Sequence, residues 1–332
     1  MKHILISLIL AFTIAGTLVA AEYPSRNITA AVVWGAGGGT DSAVRIVANE
    51  MNEFLPTRIN VVNKTGGVAG SAGMLFGYSK PADGYTIVGI SESNVTAAVN
   101  GGWDKKFSVW YPFIIGGSPD LISVNVNSPF ETLDQLISAA KTNPKSIKAA
   151  AGGAGSIHHL NLLALENGTD AEFSFIPYKG SAPGQNAAIT GEVTVVVTSL
   201  AEQQQLLKAK KLRPLAMLVK EDTKVDGVGT IPSAFSTVKG LDKYLPISQA
   251  IGMGIRSDAP AEAKEALTEA FNKALATDKV KQWAADNFFT ISGQTGDEAS
   301  ATFAGLESLF SWTLHELGAA KVDPSSLNIP KP

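Results

Sequence analysis

Short hydrophobic runs alternate along the chain with segments whose apolar residues recur at helical spacing. The first run, residues 28–34, is typical of a buried strand. A glycine-rich turn follows it, and residues 44–55 then show a helical period that ends at Pro56. The same succession of strand, glycine turn and helix returns at residues 146–167. Strands that alternate with helices in this way predict an α/β fold with largely parallel sheets.

The two similar units lie in different halves of the chain, which predicts two lobes. We expect the chain to pass from one lobe to the other near Asn125 and to return near Ile255. Lobe 1 would then comprise residues 22–124 and 255–332, and lobe 2 residues 125–254. Each lobe would be a mainly parallel sheet flanked by helices, and two crossing strands would join the lobes.

The N-terminus has the pattern of an export signal. Lys2 precedes an apolar run over residues 4–18, and small residues follow up to Ala21. This pattern predicts a signal peptide over residues 1–21. The alternative is a membrane anchor, but the run is shorter than the ~20 residues that a bilayer core requires. Because a long exported chain without cysteine favours the bacterial periplasm, we expect the mature protein to reside there.

Composition excludes several classes of protein. The net charge is −3, with 27 basic and 30 acidic residues and no basic block, so nucleic acid is not an expected partner. With no cysteine, the chain has no disulfide, thiolate metal site or cysteine nucleophile. His158 and His159 are adjacent and would diverge by about 100° on a helix, so they cannot chelate one metal. We expect neither a metal nor a cofactor.

Enzyme motifs fail when their spacing is checked. A dinucleotide-type G-x-G-x-x-G would need glycine where Thr40 and His158 stand. Ser156 does not lie in G-x-S-x-G, because Ala154 and His158 occupy the glycine positions. An exported serine-type hydrolase that uses Ser156 remains the alternative from another class, and a ligand-presenting sensory module is a third.

The two glycine turns, residues 35–39 and 152–156, are the candidate chemistry. A helix N-terminus presents unpaired N–H groups and about half a positive charge, so each turn is a candidate anion site. We expect Thr40 or Asp41 to cap the first helix and Ser156 to cap the second. The alternative is that the glycines only let each helix pack tightly on its strand. Two such turns in matching positions favour a ligand with two carboxylates, one held by each lobe.

An ordered set of motifs runs along nearly the whole mature chain. The motifs are Trp34-Gly35-Ala36-Gly37-Gly38-Gly39-Thr40-Asp41 with Arg45, Asn63 with Gly66-Gly67 and Gly70, Pro81-Ala82-Asp83-Gly84-Tyr85-Thr86, Gly153-x-Gly155-Ser156 with His159-Leu160, Pro177-Tyr178-Lys179-Gly180 with Ala182-Pro183, and Lys211-Leu212-Arg213-Pro214-Leu215-Ala216. As a set, these motifs resemble a known family, namely the periplasmic substrate-binding proteins of tripartite tricarboxylate transporters. The chain departs from the family pattern at Val33, where proline is common, and at Glu92, an acidic residue near the expected cleft.

The resemblance implies a two-lobed periplasmic-binding-protein fold that closes on a small organic anion, a di- or tricarboxylate. It also implies delivery of that anion to the large and small membrane subunits of a transporter, by a receptor that we expect to be a monomer and not an enzyme. The ligand-binding residues that follow from the resemblance and from the glycine turns are Trp34, Gly37, Gly38, Gly39, Thr40, Asp41, Ser91, Ser93, Gly153, Gly155, Ser156, His158 and Tyr178.

Overall fold

The computed structural model describes residues 23–243, 245 and 249–332. The predicted signal peptide, residues 1–21, lies outside the described residues. Within those ranges, no helix combines the length and the apolar character that crossing a membrane requires.

Thirteen strands lie within the described residues, and the first of them occupies most of the predicted run over residues 28–34. In chain order they are β1 (Ile28–Val32), β2 (Ile59–Asn63), β3 (Thr86–Ile90), β4 (Trp110–Gly117), β5 (Asp120–Asn125), β6 (Lys148–Ala150), β7 (Ser174–Phe175), β8 (Val195–Ser199), β9 (Leu212–Met217), β10 (Thr223–Val225), β11 (Gly229–Ile231), β12 (Ile251–Arg256) and β13 (Thr290–Ile291).

Ten α-helices lie within the described residues, and the first N–H groups of each need partners from outside the helix. They are α1 (Gly39–Met51), α2 (Ser71–Tyr78), α3 (Leu133–Thr142), α4 (Ile157–Thr169), α5 (Ser181–Thr190), α6 (Leu200–Lys208), α7 (Ala234–Thr237), α8 (Ala261–Ala276), α9 (Asp278–Asp286) and α10 (Gly296–Glu316). A short 3-10 helix, Glu92–Thr96, follows β3.

Two mixed sheets form the cores of the two lobes. The first has the strand order β13-β4-β12-β3-β1-β2 and the second the order β7-β6-β8-β5-β9. Strands joined by helices, such as β1, β2 and β3, pair in parallel as predicted. In contrast, β12 pairs antiparallel with both β3 and β4, and β5 pairs antiparallel with β8 and β9. The prediction of mainly parallel sheets was therefore wrong, although the two-lobed α/β fold is confirmed.

The strands next to the crossings between the lobes explain why each sheet contains both parallel and antiparallel pairs. β4 belongs to the first sheet and β5, which follows it directly, belongs to the second; β12 returns to the first sheet. Such strands enter a sheet from the other lobe without a βαβ crossover, so nothing forces them to be parallel. Judged by the sheet to which each strand belongs, the chain crosses between the lobes at residues 118–119 and again just before Ile251. Both crossings lie a few residues earlier than the predicted crossings. We propose these positions as the lobe boundaries.

Apolar packing fixes the helices against the first sheet. Val44 and Val47 of α1 are fully buried and share a core cluster with Val32 of β1 and with Leu267 and Phe271 of α8. Burial of such side chains is worth about 1.5–3 kcal/mol each. This packing holds the N-terminus of α1 at the carboxyl end of β1, on the side that faces the second lobe.

Candidate functional site

A cleft between the lobes brings the two predicted glycine turns together. The cavity that remains between its walls has a volume of only about 20 Å³. Because this is close to the minimum for one water molecule, a larger ligand can enter only when the walls move apart. The lining residues are Trp34, Gly38, Gly39, Thr40, Ser91, Glu92, Ser93, Gly152, Gly153, Ser156, His158, Gly180, Ser181, Glu202 and Gln249.

The N-termini of three α-helices converge on this cleft. Gly38 precedes α1, Ser156 precedes α4 and Gly180 precedes α5, and all three residues line the cavity. Each N-terminus contributes partial positive charge and N–H donors. Among the described residues, no lysine or arginine lines the cavity. A ligand in this cleft would therefore meet backbone N–H groups and hydroxyls and no lysine or arginine side chain. The anion site that the sequence predicts here stays a prediction.

A carboxylate of lobe 2 already occupies the N-terminus of α1. The Gly39 N–H of lobe 1 donates a hydrogen bond of 2.7 Å to Oε1 of Glu202, which lies in α6. The approach depends on glycine, because a Cβ atom at position 39 would lie 3.0 Å from this oxygen. The backbone of the same turn also contacts lobe 2, where Gly35 N–H donates to the carbonyl of Lys179 at 3.1 Å.

A second set of contacts joins the lobes at the N-terminus of α4. Ser93 Oγ of lobe 1 accepts a hydrogen bond from Ile157 N–H at 2.9 Å, and the Thr96 hydroxyl donates to the carbonyl of Gly155 at 2.6 Å. Gly155 has a φ of +79°, and a Cβ atom there would lie 2.8 Å from Nδ2 of Asn100. Glycine is therefore required at this position both by conformation and by space.

His158 lies in the cleft wall between two carboxylates. Its Nδ1 lies 2.7 Å from Oδ2 of Asp120, and its Nε2 lies 3.5 Å from Oε2 of Glu202. Burial by itself would lower the pKa of His158, but the carboxylates of Asp120 and Glu202 outweigh burial and raise the pKa to about 9. The ring is therefore protonated at neutral pH. The sequence predicted His158 among the ligand-binding residues, and both of its ring nitrogens face carboxylates of the protein.

Glu92, the acidic residue whose role the sequence left open, links the cleft to the second crossing. Its Oε2 accepts a hydrogen bond from Ala250 N–H at 2.7 Å, and its Oε1 accepts one from the Ser93 hydroxyl at 2.8 Å. Burial raises the pKa of the Glu92 carboxyl, because the charged form loses its hydration. Any movement of the lobes about residues 249–250 therefore affects a residue of the cleft wall.

Asp41 orients the first turn from behind and does not line the cavity. It accepts hydrogen bonds from Gly37 N–H at 2.9 Å and from Asn63 Nδ2 at 2.8 Å, and it pairs with Arg45. Burial alone would raise the pKa of Asp41, but these donors outweigh burial and lower it. The N-cap residue of α1 is Gly38, so the prediction that Thr40 or Asp41 caps this helix was wrong.

Most of the predicted ligand-binding residues meet in the cleft. Gly37, Asp41 and Gly155 lie outside its lining, and Gly37 and Asp41 support the first turn. Tyr178 also lies outside the lining, and its hydroxyl donates a hydrogen bond of 2.9 Å to Glu192. The predicted residues that line the cleft are Trp34, Gly38, Gly39, Thr40, Ser91, Ser93, Gly153, Ser156 and His158.

Six lining residues were not among the predicted ligand-binding residues, although one of them, Gly152, belongs to the second predicted glycine turn. The six are Glu92, Gly152, Gly180, Ser181, Glu202 and Gln249. Gly180 and Ser181 had a visible signal, since a glycine before a small-residue helix is a third turn of the same kind as the first two. Glu202 forms a capping box with Ser199, which predicts the start of α6 but not the direction of the carboxylate. Within the described ranges, no group of three or more His, Asp or Glu side chains could hold a metal.

Two α/β lobes around a cleft lined by helix N-termini define the class of two-lobed solute-binding proteins. Within this class, the chain belongs to the family described as "Tripartite tricarboxylate transporter family receptor", whose model matches residues 43–299. A relative encoded in the tcbD-tcbE intergenic region of Pseudomonas sp. (strain P51) is 28% identical over 84% of this chain and 83% of its own length. The members of this family are receptors, and the chain is a solute receptor of the same kind.

Solved structures have the same fold. The periplasmic binding protein BugD superposes with a TM-score of 0.81 at 22% identity, over 90% of this chain and 99% of its own. A protein of R. palustris solved with adipate gives 0.79 at 22% identity, over 90% and 99% of the two chains. MatC from Rhodopseudomonas palustris, solved with bound malate, gives 0.78 at 20% identity, over 89% and 100%.

Proposed function

We propose that this chain is an extracytoplasmic receptor that binds a small organic carboxylate between its lobes and delivers it to a membrane transporter. The observation that carries the proposal is the carboxylate of Glu202 at the N-terminus of α1, held by the Gly39 N–H. A carboxylate of the protein itself thus forms the kind of hydrogen bond that we expect a ligand's carboxylate to form with the remaining N–H groups at the helix N-termini of this cleft. Hydrogen bonds to charged groups contribute about 1.5–3 kcal/mol each.

The ligand class is supported by the relatives as well as by the cleft. Adipate and malate, the acids bound by two proteins of the same fold, are both dicarboxylates. Three helix N-termini supply more than one place for a carboxylate, which suits a di- or tricarboxylate. Trp34, whose indole N–H donates to Ser91 Oγ at 3.2 Å, would form an apolar wall beside the ligand's carbon chain.

Location and partners complete the proposal. The family description names a tripartite transporter. We therefore propose that the large and small membrane subunits of such a transporter are the partners. The predicted signal peptide, residues 1–21, would export the chain to the periplasm, where we propose that it works as a monomer. In this reading neither nucleic acid nor a cofactor takes part.

The geometry of Ser156 does not support the alternative that the chain is a serine-type hydrolase. Its hydroxyl donates a hydrogen bond of 2.9 Å to the Ala151 carbonyl and accepts one from His159 N–H as the N-cap of α4. The nearest candidate base in sequence, His158, has both ring nitrogens directed at carboxylates. Nucleophilic serines instead require a base within hydrogen-bond reach of the hydroxyl.

A thermal-shift screen of di-, tri-, hydroxy- and aromatic carboxylates tests the proposed function. We expect at least one acid to stabilise the protein by about 2.7 kcal/mol when its concentration is 100 times its dissociation constant. Neutral esters of the same acids are the control and should give no shift. Equal shifts from acids and esters, or none from any acid, would contradict carboxylate binding.

We expect Gly38→Val to weaken binding of that acid by at least about tenfold, or ~1.4 kcal/mol. Gly38 lines the cavity with a φ of −77°, which valine can adopt, so the bulk of the side chain and not strain blocks the ligand. The matched control is Lys179→Gln, which changes an exposed charge beside the cleft and should chiefly alter the salt dependence. Calorimetric titration gives both constants, after circular dichroism shows that both variants fold. If Lys179→Gln lost binding and Gly38→Val did not, a basic side chain and not the turn before α1 would hold the ligand's carboxylate.

A further inference from the structure

Glu202 is a buried polar side chain in the wall of the cleft, and both of its carboxylate oxygens accept hydrogen bonds. Its side chain is 5% exposed. Oε1 accepts from Gly39 N–H at 2.7 Å, and Oε2 accepts from both the N–H and the hydroxyl of Ser199 at 3.0 Å. Protonated His158 stands behind it, with Nε2 3.5 Å from Oε2. Lobe 1, its own helix and a buried cation thus hold the carboxylate in place.

An ionised carboxylate only accepts hydrogen bonds, and its two oxygens have about four lone-pair positions. Oε1 of Glu202 has one protein donor, Gly39 N–H, and the residue lines the cavity. The second carboxylate of the lining, Glu92, also accepts hydrogen bonds, and among the described lining residues the pair of carboxylates has protonated His158 but no lysine or arginine to offset its charge. A ligand with carboxylates alone would place acceptors and negative charge against this wall.

We propose that Glu202 is a specificity-determining residue. It selects carboxylates that carry a hydroxyl or ammonium donor over unsubstituted acids of equal length. This inference rests on the proposed function. The ligand's carboxylates take the N–H groups of the converging helices. Its hydroxyl or ammonium group donates to the open lone pair of Glu202 Oε1. The preferred substrate class is thus 2-hydroxy or 2-amino acids with a further carboxylate.

The size of this preference depends on the hydrogen bond to Glu202 that an unsubstituted acid cannot make. Without the donor, Oε1 meets a methylene group in a water-poor cleft, and one hydrogen bond to a charged group is lost. Sites built to bond a polar group of the substrate discriminate strongly against analogues that lack it. We expect at least a tenfold preference.

The experiment compares acids of equal length on the full mature chain by calorimetric titration. The four-carbon series is succinate, malate and aspartate, and the five-carbon series is glutarate, 2-hydroxyglutarate and glutamate. We expect malate or aspartate, or their five-carbon counterparts, to bind at least tenfold more tightly than the unsubstituted acid. A stronger preference for the amino acid than for the hydroxy acid would identify the donor as an ammonium group, and the reverse order would identify a hydroxyl.

Variants then assign the preference to Glu202. In Glu202→Gln the negative charge is absent, and we expect the preference for the amino acid to fall to less than about threefold. Glu202→Ala removes the acceptor and should abolish the preference for both substituted acids. The matched control is Glu192→Gln, which changes an acidic residue of the same lobe that contacts Tyr178 away from the cleft and should leave the preference intact.

Three outcomes overturn the inference. In the first, succinate and glutarate bind the parent chain as tightly as the substituted acids. In the second, the preference persists in both Glu202 variants, or Glu192→Gln removes it equally. In the third, no carboxylate of the wider screen binds the parent chain, which overturns the proposed function together with this inference. Parent-chain titrations alone decide the first and third, so the test survives a variant that does not fold.

Discussion

Asp120→Ala is expected to lower the free energy of unfolding by about 3–5 kcal/mol, the cost of breaking a buried ion pair by removing one partner. Asp120 is 3% exposed at the start of β5, directly after the first crossing. Its Oδ2 lies 2.7 Å from His158 Nδ1 and accepts from Asn161 Nδ2 at 2.6 Å. The substitution leaves a buried imidazolium with its main counter-charge removed. Urea unfolding followed by circular dichroism measures the loss.

The matched control for this prediction is Glu172→Ala. Glu172 belongs to the same lobe and pairs with Lys145 at 3.2 Å, but its side chain is 54% exposed. Exposed pairs contribute about 0–1 kcal/mol, so this variant should unfold close to the parent chain. If Asp120→Ala and Glu172→Ala lower the free energy of unfolding equally, the buried pair of Asp120 and His158 does not stabilise the fold as we propose.

Stability is expected to decline by about 3 kcal/mol as the pH rises from about 6.5 to about 9. The pKa of His158 is raised to about 9 in the folded chain, above the usual value of 6.5 that applies in the unfolded chain. The folded state therefore binds more protons in this window, and its advantage is complete below 6.5 and lost above 9. Carboxylates of Asp120, Glu202 and Glu92 all favour the charged ring.

Unfolding midpoints in urea across this pH range test the prediction, with His158→Gln as the comparison. The variant should be less stable than the parent chain at pH 6.5. Its free energy of unfolding should change little between pH 6.5 and 9, because it lacks the imidazole that titrates in this range. A parent chain whose stability is constant or rises between pH 6.5 and 9 would show that His158 is not held protonated.

The sequence predicted those features that follow from local periodicity. β1, α1 and α4 appear where the apolar spacing places them. The prediction that Ser156 caps the helix after the second turn was confirmed, since its side chain accepts a hydrogen bond from His159 N–H. These features depend on residues that are close in the chain, so the pattern of one segment is enough to predict them.

What the sequence missed depends on contacts between distant segments. The mixed sheets arise because β4, β5 and β12 are crossing strands, and an apolar run does not reveal which sheet it joins. Glu202 and Gly39 are distant in the chain and meet only when the lobes face each other. Tyr178 was expected in the cleft, but its hydroxyl finds Glu192 instead.

A crystal structure of the protein with the acid that gives the largest thermal shift tests the central claim most directly. The claim is that helix N-termini, and not basic side chains, bind a carboxylate between the lobes. We predict carboxylate oxygens within about 3.0 Å of backbone nitrogens at the starts of α1, α4 or α5, with both lobes in contact with the ligand. A ligand outside this cleft, or one anchored by a lysine or arginine side chain, would contradict the claim.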